Sequence, residues 1–146
     1  RVERAQLRIA RSRRAVVRPR HTHHAHLPGR GALWCLVGCG GDRDPGKRPE
    51  MGAAASAGSD WVYVTSDNPR NEGPMAIIDA ITAGIDGPHT VEPDRGRAIA
   101  IAINSAKADD IVLIAGKGHE TTQTTAGVTI PFDDRLVAAE VLRSTT

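Results

Sequence analysis

Asp-Ile-Val-Leu-Ile-Ala-Gly-Lys-Gly-His-Glu, residues 110–120, carries the pattern that decides the fold. Its first six residues are an apolar run behind one aspartate, as expected of a parallel strand covered on both faces. The glycines that follow end the strand and let a backbone come close to a ligand. Working outward, an apolar run followed by a polar cluster recurs twice. Leu-Trp-Cys-Leu-Val (33–37) reads as a buried strand ending in Gly-Cys-Gly-Gly (38–41). Trp-Val-Tyr-Val-Thr (61–65), rich in β-branched and aromatic residues, reads as another and ends in Ser-Asp-Asn-Pro-Arg (66–70). Thr-Val-Glu (90–92) is a weaker strand, and 128–130 suits a short edge strand.

Between these runs the sequence turns helical. Pro49 suits the first turn of a helix over 49–58. Pro74 opens a second helix, with Gly84 as its C-cap. Asp94 can N-cap a third, whose inner face carries Ala98, Ile101 and Ala102 with Ser105. Asp133 can cap a fourth, with Leu136, Val137 and Val141 inward. Strands alternating with helices define an α/β fold, a mostly parallel sheet with flanking helices. Ligands of such sheets sit beyond the carboxyl ends of the strands. The polar clusters 42–48, 66–72 and 116–120 fall there.

Composition divides the chain in two. Of 19 basic and 17 acidic residues, the first 30 positions hold nine Arg and one acid, Glu3, a net of +8. The remaining 10 basic and 16 acidic residues give 31–146 a net of −6, so the overall +2 describes neither part. Residues 5–30 show no usable hydrophobic period, and the segment 1–33 is expected to be irregular or disordered. A nucleic-acid-binding arm lacks aromatic residues there for base stacking. A metal site from His21, His23, His24 and His26 lacks a partner scaffold. No apolar run approaches the roughly 20 residues of a membrane span, and no signal-peptide h-region opens the chain. Two free cysteines, Cys35 and Cys39, suit a reducing compartment, so a cytoplasmic protein is expected.

The three clusters carry different chemistry. Gly41–Arg48 contains Gly-x4-Gly-Lys, but Arg48 stands where a P-loop needs Ser or Thr, and Asp42 and Asp44 would repel phosphate. It reads as a charged strand-end loop or a solvated turn. In 66–70, Pro69 stiffens the backbone and presents Asp67, Asn68 and Arg70 in a fixed order. Arg70 can grip a carboxylate with two parallel hydrogen bonds and Asp67 can neutralise an ammonium, which suits an amino acid, although Asn-Pro alone is also plain turn chemistry. In 116–120, Lys117, His119 and Glu120 add a cation, a titratable ring and an anion; His119 alone would be a capping or packing residue as readily as a catalyst.

Taken together, Gly-Cys-Gly-Gly-Asp-Arg-Asp-x-Gly-Lys-Arg-Pro (38–49), Asp-Asn-Pro-Arg (67–70) and Ala-Gly-Lys-Gly-His-Glu (115–120) resemble one family. In this order and spacing they look like the C-terminal domain of MurE, the meso-diaminopimelate-adding Mur ligases, over residues 34–146. The resemblance implies a Rossmann-like fold. It also implies that Arg43, Asp67, Asn68, Pro69, Arg70, Gly116 and Glu120 bind meso-diaminopimelate, with Asp42 a candidate for facing the nucleotide. The implied reaction is ATP-dependent amide formation on UDP-N-acetylmuramoyl-L-alanyl-D-glutamate. ATP and Mg2+ would serve the full-length enzyme, with none bound by this fragment alone and no catalytic residue or metal ligand in it.

The resemblance breaks between Arg-Val-Glu-Arg (1–4) and Trp34, where the family has a strand and a helix. A reading-frame slip in a GC-rich gene, restored before Leu36, would produce such an Arg/His-rich stretch. A chain without that strand and helix is expected to leave sheet surface uncovered and to be aggregation-prone. A monomer without nucleic-acid or membrane partners is expected. The alternatives are a non-catalytic amino-acid-binding module and a basic nucleic-acid-binding protein acting through residues 1–30.

Overall fold

The computed structural model describes residues 6–9 and 31–145. Readings that fall on 1–5, 10–30 or 146, the histidine cluster and the frame slip among them, lie outside the described residues. Five strands form one parallel sheet in the order β1 (Gln6–Ile9), β5 (Ile111–Ile114), β2 (Leu33–Val37), β3 (Trp61–Val64), β4 (His89–Val91). The expectation of an irregular N-terminal segment is therefore corrected at four residues: Gln6–Ile9 lie in register beside Ile111–Ile114.

Side chains alternate across the sheet and meet a different pair of helices on each face. Cys35, Val37, Val62 and Val64 pack with Ala55 of α1 (Lys47–Gly58) and Ile77, Ile78 and Ile81 of α2 (Pro74–Thr82). Leu36, Tyr63, Val112 and Ile114 pack with Ala98, Ile99, Ala102 and Ile103 of α3 (Arg95–Ser105) and Ala138 of α4 (Asp134–Ser144). The chain leaves β2 toward β3 and β4 and returns to β5 on the other side of β2. That reversal opens a crevice at the carboxyl ends of β2 and β5.

Several expected details shift. Asp110 lies just outside β5, where its carboxylate accepts from the backbone N of Ala32 and Lys107 and from the Trp34 indole. Gly84 does not cap α2; Ala83 does, and a Cβ at Gly84 would strike the Pro49 carbonyl of α1. On α3 the buried face is Arg95, Ala98, Ile99, Ala102 and Ile103, whereas Ile101 and Ser105 are exposed. On α4, Val137 and Val141 pack against the core as expected, but Leu136 is 70% exposed, while Asp134 and Ala138 are buried. Both partial misreadings have one cause. The inward positions of these helices start from charged residues, Arg95 and Asp134, which pair with each other.

The strand at 128–130 is not an edge of the main sheet. It belongs to β7 (Val128–Pro131), which forms a separate antiparallel hairpin with β6 (Thr122–Thr125). Threonines at 122, 124 and 125 with Gln123 give β6 no apolar alternation, so the sequence hides it. Its turn residues, Ala126 and Gly127, have φ of 49° and 79°, as a two-residue hairpin turn of this hand requires. Among the described residues no helix is long and apolar enough to cross a membrane.

Candidate functional site

Three loops, one after each of β2, β3 and β5, close around a cavity of about 540 Å3. Its wall includes Arg43, Asp67, Arg70, Gly116 and Glu120, which the sequence singled out, together with Lys47, Lys117 and His119. Gly116 needs to be glycine twice over. Its φ is +107°, and a Cβ would press on the Gly38 carbonyl across the crevice.

The loop after β3 is held from both sides. Pro69 is fully buried. Asn68 Oδ1 accepts from Thr124 N at 2.8 Å, while Asn68 Nδ2 donates to Glu120 Oε2 at 2.6 Å. Neither Asn68 nor Pro69 is part of the cavity wall; the Asn68 amide is bonded to Glu120 and Thr124, and Pro69 packs inside. Arg70 takes φ 55°, uncommon for a residue with a side chain, and its backbone is stitched to the hairpin through Thr124 O and Ala126 N. Its Nη1 donates to Gly41 O at 2.7 Å, which leaves the rest of the guanidinium for a ligand.

The loop after β2 is clamped by a pair the sequence did not reveal. Arg48, 5% exposed, donates through Nη1 and Nη2 to the two carboxylate oxygens of Glu72, each at 2.8 Å. Glu72 also accepts from Asp42 N at 2.7 Å. These hydrogen bonds, Arg48 first and Asp42 next, hold the Glu72 carboxyl below its usual value. Asp42 is exposed, accepts from Asn71 and is not among the residues of the cavity wall. With Arg48 so engaged beside Asp42 and Asp44, this loop does not form the phosphate and magnesium cradle of a P-loop. Among the described residues no group of three or more His, Cys, Asp or Glu could hold a metal ion.

A second missed pair lies beneath the floor. Arg95 is buried at the start of α3 and grips Asp134 of α4 through Nε and Nη2, both at 2.8 Å. It also donates to the carbonyls of Ser66 and Ala115, so one guanidinium ties the ends of β3 and β5 to both helices. Burial is the largest influence on the Asp67 carboxyl and raises it above its usual value, against the positive charges of Arg95 and Lys117. Burial, then the charge of Asp67, push the Cys39 thiol up to about 11, so it stays protonated at neutral pH and is no nucleophile.

What remains free is informative. Among the described residues, the side chains of Arg43 and Lys47 make no hydrogen bond or ion pair. The cavity therefore offers guanidinium groups from Arg43 and Arg70 against carboxylates from Asp67 and Glu120. This suits a small molecule bearing both carboxylate and ammonium groups.

Residues 20–118 match the family model described as Mur ligase, glutamate ligase domain. The chain belongs to the Mur ligase family. That match begins inside the basic segment, 14 positions before Trp34. A UDP-N-acetylmuramoyl-L-alanyl-D-glutamate–2,6-diaminopimelate ligase of Chromobacterium violaceum is 54% identical over 116 residues, 79% of this chain and 24% of that protein. The ligase of the same name from Solibacter usitatus is 57% identical over 111 residues, 74% of this chain and 22% of its own length. A solved structure of a ligase of this name superposes with a TM-score of 0.75 at 44% identity, covering 78% of this chain and 24% of that one. The chain thus spans about a quarter of the length of the Mur ligase relatives it matches, and the mostly parallel α/β fold expected from the sequence is theirs.

Proposed function

We propose that this chain carries the amino-acid pocket of a cytoplasmic ligase that adds meso-diaminopimelate to UDP-N-acetylmuramoyl-L-alanyl-D-glutamate during peptidoglycan synthesis, with residues 34–146 as the binding unit. One observation carries the reading: Arg43, Asp67, Arg70 and Glu120, brought from three separate loops, line one cavity. Diaminopimelate has two carboxylates and two ammonium groups, which complement this set. Arg43 and Arg70 each take a carboxylate, Asp67 and Glu120 take the ammonium groups, and Gly116 leaves room for the ligand chain. Asn68 and Pro69 keep Glu120 and Arg70 in place. Asp42, outside the cavity, is left as the candidate for facing a nucleotide in a full-length enzyme.

The amide would form between an amine of the bound diaminopimelate and the glutamyl carboxyl of the UDP-linked dipeptide. ATP and Mg2+ would activate that carboxyl in the rest of such a ligase, so this chain's part is to bind and orient the nucleophile. A non-catalytic amino-acid-binding module is the second reading, favoured by a cavity lined by three loops and the first turns of α1, all within this domain. The two readings part on turnover with ATP and the UDP-linked dipeptide, which only the first expects of a complete enzyme. The protein is expected to be a monomer that binds neither nucleic acid nor membranes.

Calorimetric titration tests the site. Losing one partner of a desolvated ion pair costs about 3–5 kcal/mol. Arg70→Ala should therefore weaken meso-diaminopimelate binding by about a hundredfold or more. Binding of L-lysine, which lacks the second carboxylate, should hardly change. Equal losses for both ligands would refute the role given to Arg70.

A further inference from the structure

Lys117 is placed oddly for a residue of a ligand cavity. It contributes to the wall, yet its side chain is 0% exposed. Its Nζ donates to Thr122 O at 2.6 Å, lies 5.7 Å from the centre of the Phe132 ring and stands 3.3 Å from Asp67 Oδ1. The contact with Asp67 is an ion pair to the buried Oδ1, whose geometry matches no donor as a hydrogen bond. Asp67 Oδ2 has no hydrogen-bond partner among the described residues either, but it is not buried, so it is the oxygen open to the cavity.

The groups facing Asp67 narrow the choice of counter-ion. From α3 comes Arg95, whose guanidinium is committed to Asp134, Ser66 and Ala115. From the loop after β2 comes Cys39, a neutral thiol at physiological pH. From the loop after β5 come Glu120, which repels, and Lys117. Among the described residues Lys117 has no other carboxylate within ion-pair distance, and a buried ammonium without an anion is strongly disfavoured. The two groups need each other.

We propose that Lys117 is a positioning residue for Asp67: its buried ammonium draws one carboxylate oxygen inward and leaves the other facing the cavity, ionised, as the acceptor for a ligand ammonium. This rests on the reading of the cavity as an amino-acid site. Burial alone would favour the protonated carboxyl, which accepts an ammonium poorly; Lys117 opposes that and removes the need to expel a proton when ligand binds.

The test has one arm without ligand and one with it. Lys117→Gln keeps a donor for Thr122 O and removes the charge. Carboxyl 13C titration of the ligand-free chain should then show Asp67 titrating at higher pH than in the wild type. In calorimetry with meso-diaminopimelate, the variant should bind roughly tenfold more weakly at pH 6 than at pH 8 and release a proton, while the wild type stays nearly level over that range. An unchanged Asp67 titration in folded Lys117→Gln would overturn the proposal, as would a loss of binding equal at every pH. If Lys117→Gln fails to fold, the Asp67→Asn/Lys117→Gln double variant decides. It should recover stability if the two form a charge pair, and no recovery would overturn the proposal. A wild-type chain that ignores diaminopimelate would sink the proposed function, while the ligand-free titration would still decide the role of Lys117.

Discussion

Gly116 shows how much of the site depends on single residues. It combines φ +107° with an approach to the Gly38 carbonyl that leaves no space for a methyl group. Gly116→Ala is expected to destabilise the protein by more than about 1 kcal/mol and to abolish meso-diaminopimelate binding, read by denaturant titration and calorimetry. Wild-type affinity in that variant would remove the crevice between β2 and β5 from the binding site. At this scale the sequence is half legible. Arg43, Asp67, Arg70, Gly116 and Glu120 stand out because loops at strand ends concentrate unusual side chains. What they do with each other is hidden. Arg48 reads as a failed magnesium position, and only the folded chain brings Glu72 to it. Asn68 reads as a ligand contact, yet its hydrogen bonds go to Glu120 and Thr124.

The elements are aligned by two devices, a buried ion pair and a hairpin. Arg95 and Asp134 join α3 to α4 while Arg95 holds the ends of β3 and β5, so the floor beneath two ligand loops shares one guanidinium. Arg95→Ala should cost about 3–5 kcal/mol in urea unfolding, because the Asp134 carboxylate would be left buried and unpaired. A cost below about 1 kcal/mol would contradict this account of the pair. The hairpin supports Arg70 from outside through Thr124 and Ala126. Its turn places Ala126 at φ 49°, where asparagine is more comfortable. Ala126→Asn is therefore expected to stabilise the protein by up to about 1 kcal/mol, seen as a higher denaturant midpoint at unchanged slope. β2, β3 and β5 were legible from apolar runs, and α1 and α2 from their prolines. The faces of α3 and α4 were legible in part: Ala98, Ala102, Val137 and Val141 pack inward as expected, but the buried Arg95 and Asp134 that open each face carry no hydrophobic signal.

For the whole molecule, charge and coverage set the limits. Asp133 is held down to about 2, chiefly by its hydrogen bond with Arg135. Burial works against the Asp110 carboxyl, but bonds from Lys107, Ala32 and Trp34 together hold it below its usual value. In both cases the folded state binds its proton less tightly than the unfolded chain. Their contribution is present above the unfolded value, near pH 4, and is lost as pH falls toward 2. Asp67 runs the other way: its raised carboxyl opposes folding at neutral pH and is relieved on acidification. Asp110→Asn should flatten the acid limb of a thermal stability profile below about pH 4; an unaltered limb would assign acid lability elsewhere. On the face that α1 and α2 cover at β2 and β3, Ile111 and Leu113 of β5 are only half-buried. The isolated chain is accordingly expected to aggregate on heating, and reversible, cooperative unfolding of a soluble monomer would contradict that.

The central claim concerns which amino acid the cavity selects, and a paired calorimetric titration of the wild-type chain with meso-diaminopimelate and with L-lysine tests it most directly. The account predicts that meso-diaminopimelate binds about a hundredfold tighter or more, since lysine leaves one guanidinium of the Arg43 and Arg70 pair without a carboxylate. Equal affinity for the two ligands, or binding of neither, would contradict it.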